Sequence, residues 1–125
     1  MKFSARLLGT VAVLLGLTGI MLAALGSHLV DVNGVVNGAG IWQTASNIHL
    51  FQAAALLGMS AWLNTTDSRP LLWACGMMLA GAVLFCGSLY LKVASAGAFT
   101  GAAPLGGSIM MLGWLLAAIA LWRQS

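Results

Sequence analysis

Charge is what this sequence has least of. Five Lys/Arg and two Asp/Glu, seven in all, are spread over 125 residues, of which 61% are hydrophobic and only 6% charged. Soluble domains carry about 25% charged residues. Seven such side chains cannot dress the surface of a water-soluble globule of this length, so composition excludes that class. Hydrocarbon removes the difficulty, because apolar side chains then belong on the outside.

The two acidic residues, Asp31 and Asp67, stand far apart in polar connectors. There is no carboxylate pair for acid–base work and no nucleophile–base–orienter set, so the chain is not expected to be an enzyme. Lys2, Arg6, Arg69, Lys92 and Arg123 are scattered singly. Nucleic-acid binding, which begins with a basic patch, is excluded on that ground. Cysteine is equally sparse. Cys75 and Cys86 lie eleven positions apart in one apolar stretch, about 16 Å along a helix. That is too far for a disulfide, and both read as buried free thiols.

Long apolar runs are what the chain does have. They cover about 7–30, 41–63, 70–91 and 104–122, each near the ~20 residues that cross a bilayer. Lipid leaves the backbone of an open segment no way to be satisfied except as a helix. Asn33-Gly34 and Asn37-Gly38 mark a turn-rich connector, 64–69 is a short polar loop, and 92–103 is rich in Gly and Ala. Pro70 and Pro104 stand at first-turn positions of the last two helices. Connectors this short make neighbours antiparallel. The expected architecture is all-α: one transmembrane domain over residues 1–125, an integral membrane four-helix antiparallel bundle.

Lys2, Arg6, Arg69 and Arg123 fall on one side of that bundle and Lys92 alone on the other. The positive-inside rule then puts both termini in the cytoplasm. Trp42, Trp62, Trp73, Trp114 and Trp122 mostly fall near predicted helix ends, where interfacial tryptophan belongs. A cleaved signal ending near Ala23-Ala24-Leu25-Gly26 is the rival reading of the first run. The run is longer than the 7–15 apolar residues of such a signal, which favours an uncleaved helix.

Helices in lipid associate through small residues and polar contacts. Gly19, Ala23 and Ser27 stripe the first helix, Ala54 and Gly58 the second, Gly76 and Ala80 the third, and Gly113 and Ala117 the fourth. Polar residues are distributed unevenly. Ser27 and His28 end the first helix; Gln43, Thr44, Ser46, Asn47, His49 and Gln52 occupy the first half of the second; Ser88 and Tyr90 finish the third. The antiparallel topology gathers all of these in the outer half of the bundle. At 100° per residue, Gln43, Thr44 and Asn47 share one sector of the second helix, while Ser46, His49 and Gln52 share another. His49 and Gln52 lie some 12–17 Å along the axis at ~1.5 Å per residue. They cannot face lipid at that depth, and His49 is expected against another helix.

Three readings of this polar half compete. His28 and His49, with Tyr90 and Ser88 nearby, would ligate a metal or haem; two histidines do not complete a zinc site, and Asp31 as a third ligand falls outside the hydrocarbon. The same groups would handle protons or a solute. The leading reading is structural: Asn47, His49, Gln52, Ser88 and Tyr90 hydrogen-bond across helices and fix their register. Met77-Met78 and Met110-Met111 suggest copper by chemistry, but adjacent helix positions point different ways, which favours packing. Gly106-Gly107 lacks the Lys-Ser/Thr of a phosphate loop.

Several stretches taken together resemble a known family. Ala24-Leu25-Gly26-Ser27-His28, then Trp42-Gln43-Thr44-Ala45, then His49 ahead of Ala55-Leu56-Leu57 are similar to the small bacterial inner-membrane family typified by YgdD, domain of unknown function four-two-three. Leu84-Phe85-Cys86-Gly87-Ser88-Leu89-Tyr90, then Ala103-Pro104-Leu105-Gly106-Gly107 and Gly113-Trp114, resemble its Phe-Ser-Gly-Ser-Leu-Tyr and Thr-Pro-x-Gly-Gly…Gly-Trp runs. The resemblance covers about 22–114. It implies four transmembrane helices in the bacterial inner membrane and no established activity. Asn47 stands where the family tends to carry an acid and Gln52 where it tends to carry a second histidine; both departures weigh against a metal site. The sequence thus leads to a non-catalytic accessory or assembly subunit, or a self-associating bundle. Its partners are membrane lipids and other membrane subunits or itself, with no cofactor and no nucleic acid. A metal- or haem-binding protein, or a small transporter or proton-handling protein, is the alternative.

Overall fold

The structure, a computed structural model, describes residues 2–28, 35–98, 101 and 103–124, with Ser27 and His28 by backbone alone. Four helices follow one another: α1 Lys2–His28, α2 Gly38–Leu63, α3 Arg69–Ala94 and α4 Ala103–Trp122. No strand occurs among the described residues. Each helix begins before its apolar run, because backbone hydrogen bonding continues past the point where the side chains turn polar. Inside α1 the hydroxyls of Thr10 and Thr18 donate to the carbonyls of Arg6 and Leu14 at 2.8 and 3.0 Å, so they need no solvent.

The helix ends have local causes. Ser68 caps α3 by accepting a hydrogen bond from the Leu71 amide at 3.2 Å, with Pro70 in the first turn. At the other end the Gly97 amide reaches back to the Lys92 carbonyl at 2.8 Å and the Ala96 amide to Val93 at 3.1 Å. Ala96 is left-handed, with φ of 55°. This is a Schellman stop built on alanine, which accepts a steric cost that glycine avoids.

Packing runs α1 on α2, α2 on α3, and α3 on α4; α1 and α3 hardly meet. Facing residues give the direction. Gly9 looks onto Ser60, Gly19 onto His49 and Leu50, and Gly26 onto Trp42, so α1 and α2 run antiparallel. Gly81 faces Met110, Gly106 faces Phe85 and Gly113 faces Met78, so α3 and α4 do too. Arg6 shares a groove with Asn64, and Arg123 shares another with Ser68 and Pro70. Arg6, Arg69 and Arg123 therefore occupy one end of the bundle, while Lys92 closes α3 at the other.

The interior changes character along its length. Near the arginine end, Ala5, Leu8, Ala12, Leu56, Leu63, Leu71, Ala74, Cys75, Met78, Ala117 and Ala120 form a wholly apolar cluster. Towards the far end Trp42, Ala45, Cys86, Tyr90 and Val93 form a smaller, aromatic one. Both cysteines are free and buried, as their spacing requires.

Small residues hold α3 to α4 at backbone distance. A methyl group added to Gly106 would strike the Phe85 amide and come within 2.9 Å of its Cα. One added to Gly81 would lie 2.6 Å from the Met110 amide nitrogen and 2.8 Å from the Gly106 carbonyl. Gly113 and Ala117 face inward as expected, and Met78 and Met110 fill the notches opposite the glycines. The expected stripes on α2 and α3 are corrected. Ala54, Gly58, Gly76 and Ala80 are all exposed, and nothing lies within 4 Å of a methyl group built on Gly58 or Gly76. Spacing of four defines a stripe without saying which way it points; on α3 the buried positions Ala74, Met78 and Gly81 claim the inward arc.

Length and composition make three helices fit to cross a membrane: α1 over Lys2–Gly26, α3 and α4. Their lipid-ready surface is plain in the exposed Leu7, Leu14, Leu17, Val83, Leu112 and Leu115. The protein is an all-α, four-helix membrane bundle. α2 matches the others in length but carries Gln43, Asn47, His49 and Gln52.

Candidate functional site

α2 brings its polar residues to the centre of the molecule by rotation alone. Ser46, His49 and Gln52 recur every three residues and are all buried, with His49 8% exposed, while Gln43, Thr44 and Asn47 are exposed. The two-sector reading of this helix therefore holds. In antiparallel helices, side chains that lean toward their own N-termini lean toward one another. Tyr90, near the end of α3, and His49, deeper in α2, meet for that reason.

Four side chains form one line through three helices. Thr18 Oγ1 on α1 lies 3.1 Å from His49 Nε2, His49 Nδ1 lies 3.1 Å from the Tyr90 hydroxyl, and that hydroxyl lies 3.3 Å from Ser46 Oγ. Around this line Trp42 packs edge-on against Tyr90 with ring centroids 4.8 Å apart, and its Nε1 donates to the Leu22 carbonyl at 2.7 Å. Trp42 thus turns inward, and the absence of a side chain at Gly26 leaves room for its indole. Trp62, Trp73 and Trp122 remain exposed towards the arginine end, as interfacial residues should.

The line accepts two proton arrangements. In one, Tyr90 donates to Nδ1, Nε2–H donates to Thr18, and Thr18 donates to the Leu14 carbonyl. In the other, Thr18 donates to Nε2, Nδ1–H donates to Tyr90, and Tyr90 donates to Ser46. Both leave the imidazole neutral with each nitrogen engaged. A metal at His49 would have to displace one of those bonds. Among the described residues no three His, Cys, Asp or Glu side chains gather.

The remaining expected residues divide clearly. Gln52 does not join the line; its Oε1 accepts from Trp114 Nε1 at 3.2 Å and so ties α2 to α4. Phe51 packs on the same indole with centroids 5.6 Å apart. Ser88 is buried on α3. Gln43 and Asn47 border an end groove of about 350 Å³ shared with Ala23, Gly26, Ala39, Trp42 and Ser46. The side chains of Ser27 and His28, and Asp31 entirely, lie outside the described residues.

Sequence reasoning missed Thr18. The signal was present, since setting the end of α1 against the start of α2 brings position 18 level with 48–49. A lone threonine inside an apolar run looks satisfied by its own helix, as Thr18 partly is.

The profile of the family described as "Protein of unknown function (DUF423)" matches residues 22–107. That stretch contains His49, Tyr90 and the Gly81 and Gly106 contact. The chain belongs to this family. It is similar to a UPF0382 membrane protein of Staphylococcus epidermidis, 30% identical over 118 residues that cover 88% of this chain and 93% of the relative. A UPF0382 membrane protein of Staphylococcus aureus is 28% identical over 89% of this chain and 94% of its own. The UPF0382 inner membrane protein YgdD of Escherichia coli is 28% identical over 97% and 95%. No solved structure matches. These relatives are named as membrane or inner membrane proteins of an uncharacterised family.

Proposed function

We propose that the chain crosses the bacterial inner membrane four times with both termini in the cytoplasm. We further propose that it works without catalysis, as an accessory or assembly subunit or as a self-associating bundle. One observation carries this reading: the polar side chains at membrane depth are spent on holding helices to one another. His49 engages both ring nitrogens and Gln52 answers Trp114, the use that interhelical polar groups ordinarily have.

Four spans follow if α2 is carried by its neighbours. Its 26 residues measure about 39 Å at 1.5 Å per residue, and its deep polar groups face α1, α3 and α4 instead of lipid. The clustering of Arg6, Arg69 and Arg123 at one end supports a cytoplasmic placement of that end. The exposed Ala54, Gly58, Gly76 and Ala80 offer further helices the close approach that small residues permit.

Purification in mild detergent, followed by crosslinking and mass spectrometry, tests the association. A self-associated species or a stoichiometric partner is expected. A strictly monomeric chain with no co-purifying protein contradicts the reading.

A further inference from the structure

α1 and α3 both pack on α2 but hardly on each other. Between them lies a cavity of about 170 Å³ lined by Leu15, Leu22, His49, Ala82, Val83, Cys86, Gly87 and Tyr90. Val83 is 58% exposed, so the cavity opens sideways between the two helices. In a bundle embedded in lipid that opening faces acyl chains, not water. Its walls are apolar, and its polar edge is the His49–Tyr90 pair. An apolar cavity of about 150 Å³ stays dry and admits a benzene-sized ring. Gly87 enlarges the space, for nothing lies within 4 Å of a methyl group built there.

We infer that this crevice binds a membrane-dissolved ring compound bearing a carbonyl oxygen, with its apolar tail leaving between α1 and α3. The hydrogen bond is available at modest cost. Of the three contacts in the polar line, Tyr90 to Ser46 is the longest at 3.3 Å. In the arrangement where Nδ1–H donates to Tyr90, the phenol proton swings from Ser46 to the ligand oxygen and every other bond in the line is kept. A charged head is refused, since among the described residues no ionised group borders the cavity. A plain hydrocarbon fills the space but offers Tyr90 no acceptor in place of Ser46. Ser46 also lines the polar end groove where Gln43 and Asn47 stand. The line therefore joins a polar end groove to an apolar crevice.

The inference rests on the membrane-spanning part of the proposed function. The full chain in phosphatidylcholine nanodiscs is titrated with a benzoquinone carrying a decyl tail, and decylbenzene is titrated in parallel. Saturable binding of one benzoquinone per chain is expected. Tyr90→Phe should weaken it about three- to tenfold, the worth of one hydrogen bond, without changing decylbenzene uptake. Gly87→Leu fills the cavity and should abolish saturable binding; Gly76→Leu, in open space about 16 Å nearer the arginine end of the same helix face, should not. Where Gly87→Leu is not recovered folded, Val83→Trp blocks the mouth with the same expected loss. Non-saturable uptake, wild-type binding in the blocked variants, or equal retention of both probes regardless of Tyr90 overturns the inference. A chain that enters nanodiscs with its helix content intact yet fails to bind sinks this inference alone. A chain that will not enter them sinks the membrane reading beneath it.

Discussion

The α3–α4 pair and the α1–α2–α3 trio solve the same problem with opposite chemistry. α3 and α4 touch through Gly81, Gly106 and Gly113, backbone against backbone, with Met78, Met110 and the Phe85 ring filling the space beside the glycines. In the trio Gly9, Gly19 and Gly26 meet side chains of α2 in place of backbone, the Thr18, His49, Tyr90 and Ser46 line is added beside a bulky Trp42, and crevices remain beside it. Close packing gives many weak contacts and tolerates no added atom. Hydrogen bonds give fewer contacts but specify register, and they leave space. Helices in hydrocarbon need one or the other, because lipid supplies no hydrophobic drive to associate.

The contrast is broken most forcefully on the tight side. Gly106→Val sets a methyl group against Phe85 backbone that has nowhere to go, and should cost about 3 kcal/mol or more. Reversible unfolding in mixed micelles measures this. Gly76→Val on the same hairpin, facing open space, should stay within about 0.5 kcal/mol of wild type. Equal losses in the two variants would mean that the glycines serve helix flexibility and not contact.

On the polar side, His49→Ala should cost about 2 kcal/mol in the same assay, since it removes the group that links Thr18 to Tyr90, leaves them only Leu14 and Ser46 as partners, and opens a void. Tyr90→Phe removes one hydroxyl and keeps the ring against Trp42, so its cost should fall to about 0.6 kcal/mol, the mean for interhelical hydrogen bonds in a bilayer. A Tyr90→Phe loss matching His49→Ala would make the phenol, not the imidazole, the centre of the line. The smallest effect belongs to the α2–α4 tie. A double-mutant cycle of Gln52→Leu with Trp114→Phe should return a coupling near ~0.5 kcal/mol, and zero coupling would remove that contact from the account.

How much of this was legible in the sequence depended on the kind of signal. Hydrocarbon imposes helices on any long apolar run, so the four elements could be read directly. The inward arc of α2 could be read from the 100° step, because burying Ser46, His49 and Gln52 together leaves Asn47 and Gln43 outside. Facing directions of small residues could not. Gly76 and Gly81 are both glycine on α3, and only the neighbouring helix decides that Gly81 meets Met110 while Gly76 meets nothing. Trp42 misled for a related reason. Tryptophan near a helix end is usually interfacial, but the space above Gly26 drew this one inside, where it partners Tyr90. Thr18 was hidden by its bond to its own helix.

Everything above depends on α2 lying through the membrane beside its neighbours, its histidine kept from lipid by α1 and α3. Val36, 93% exposed, and the exposed Asn64 bracket that helix. Single cysteines placed as Val36→Cys or Asn64→Cys, in a chain with Cys75 and Cys86 replaced by serine, are labelled with a membrane-impermeant maleimide in intact spheroplasts and in inverted vesicles. Position 36 is expected to react only from outside and position 64 only from the cytoplasmic face. Labelling of both from the same face would contradict it.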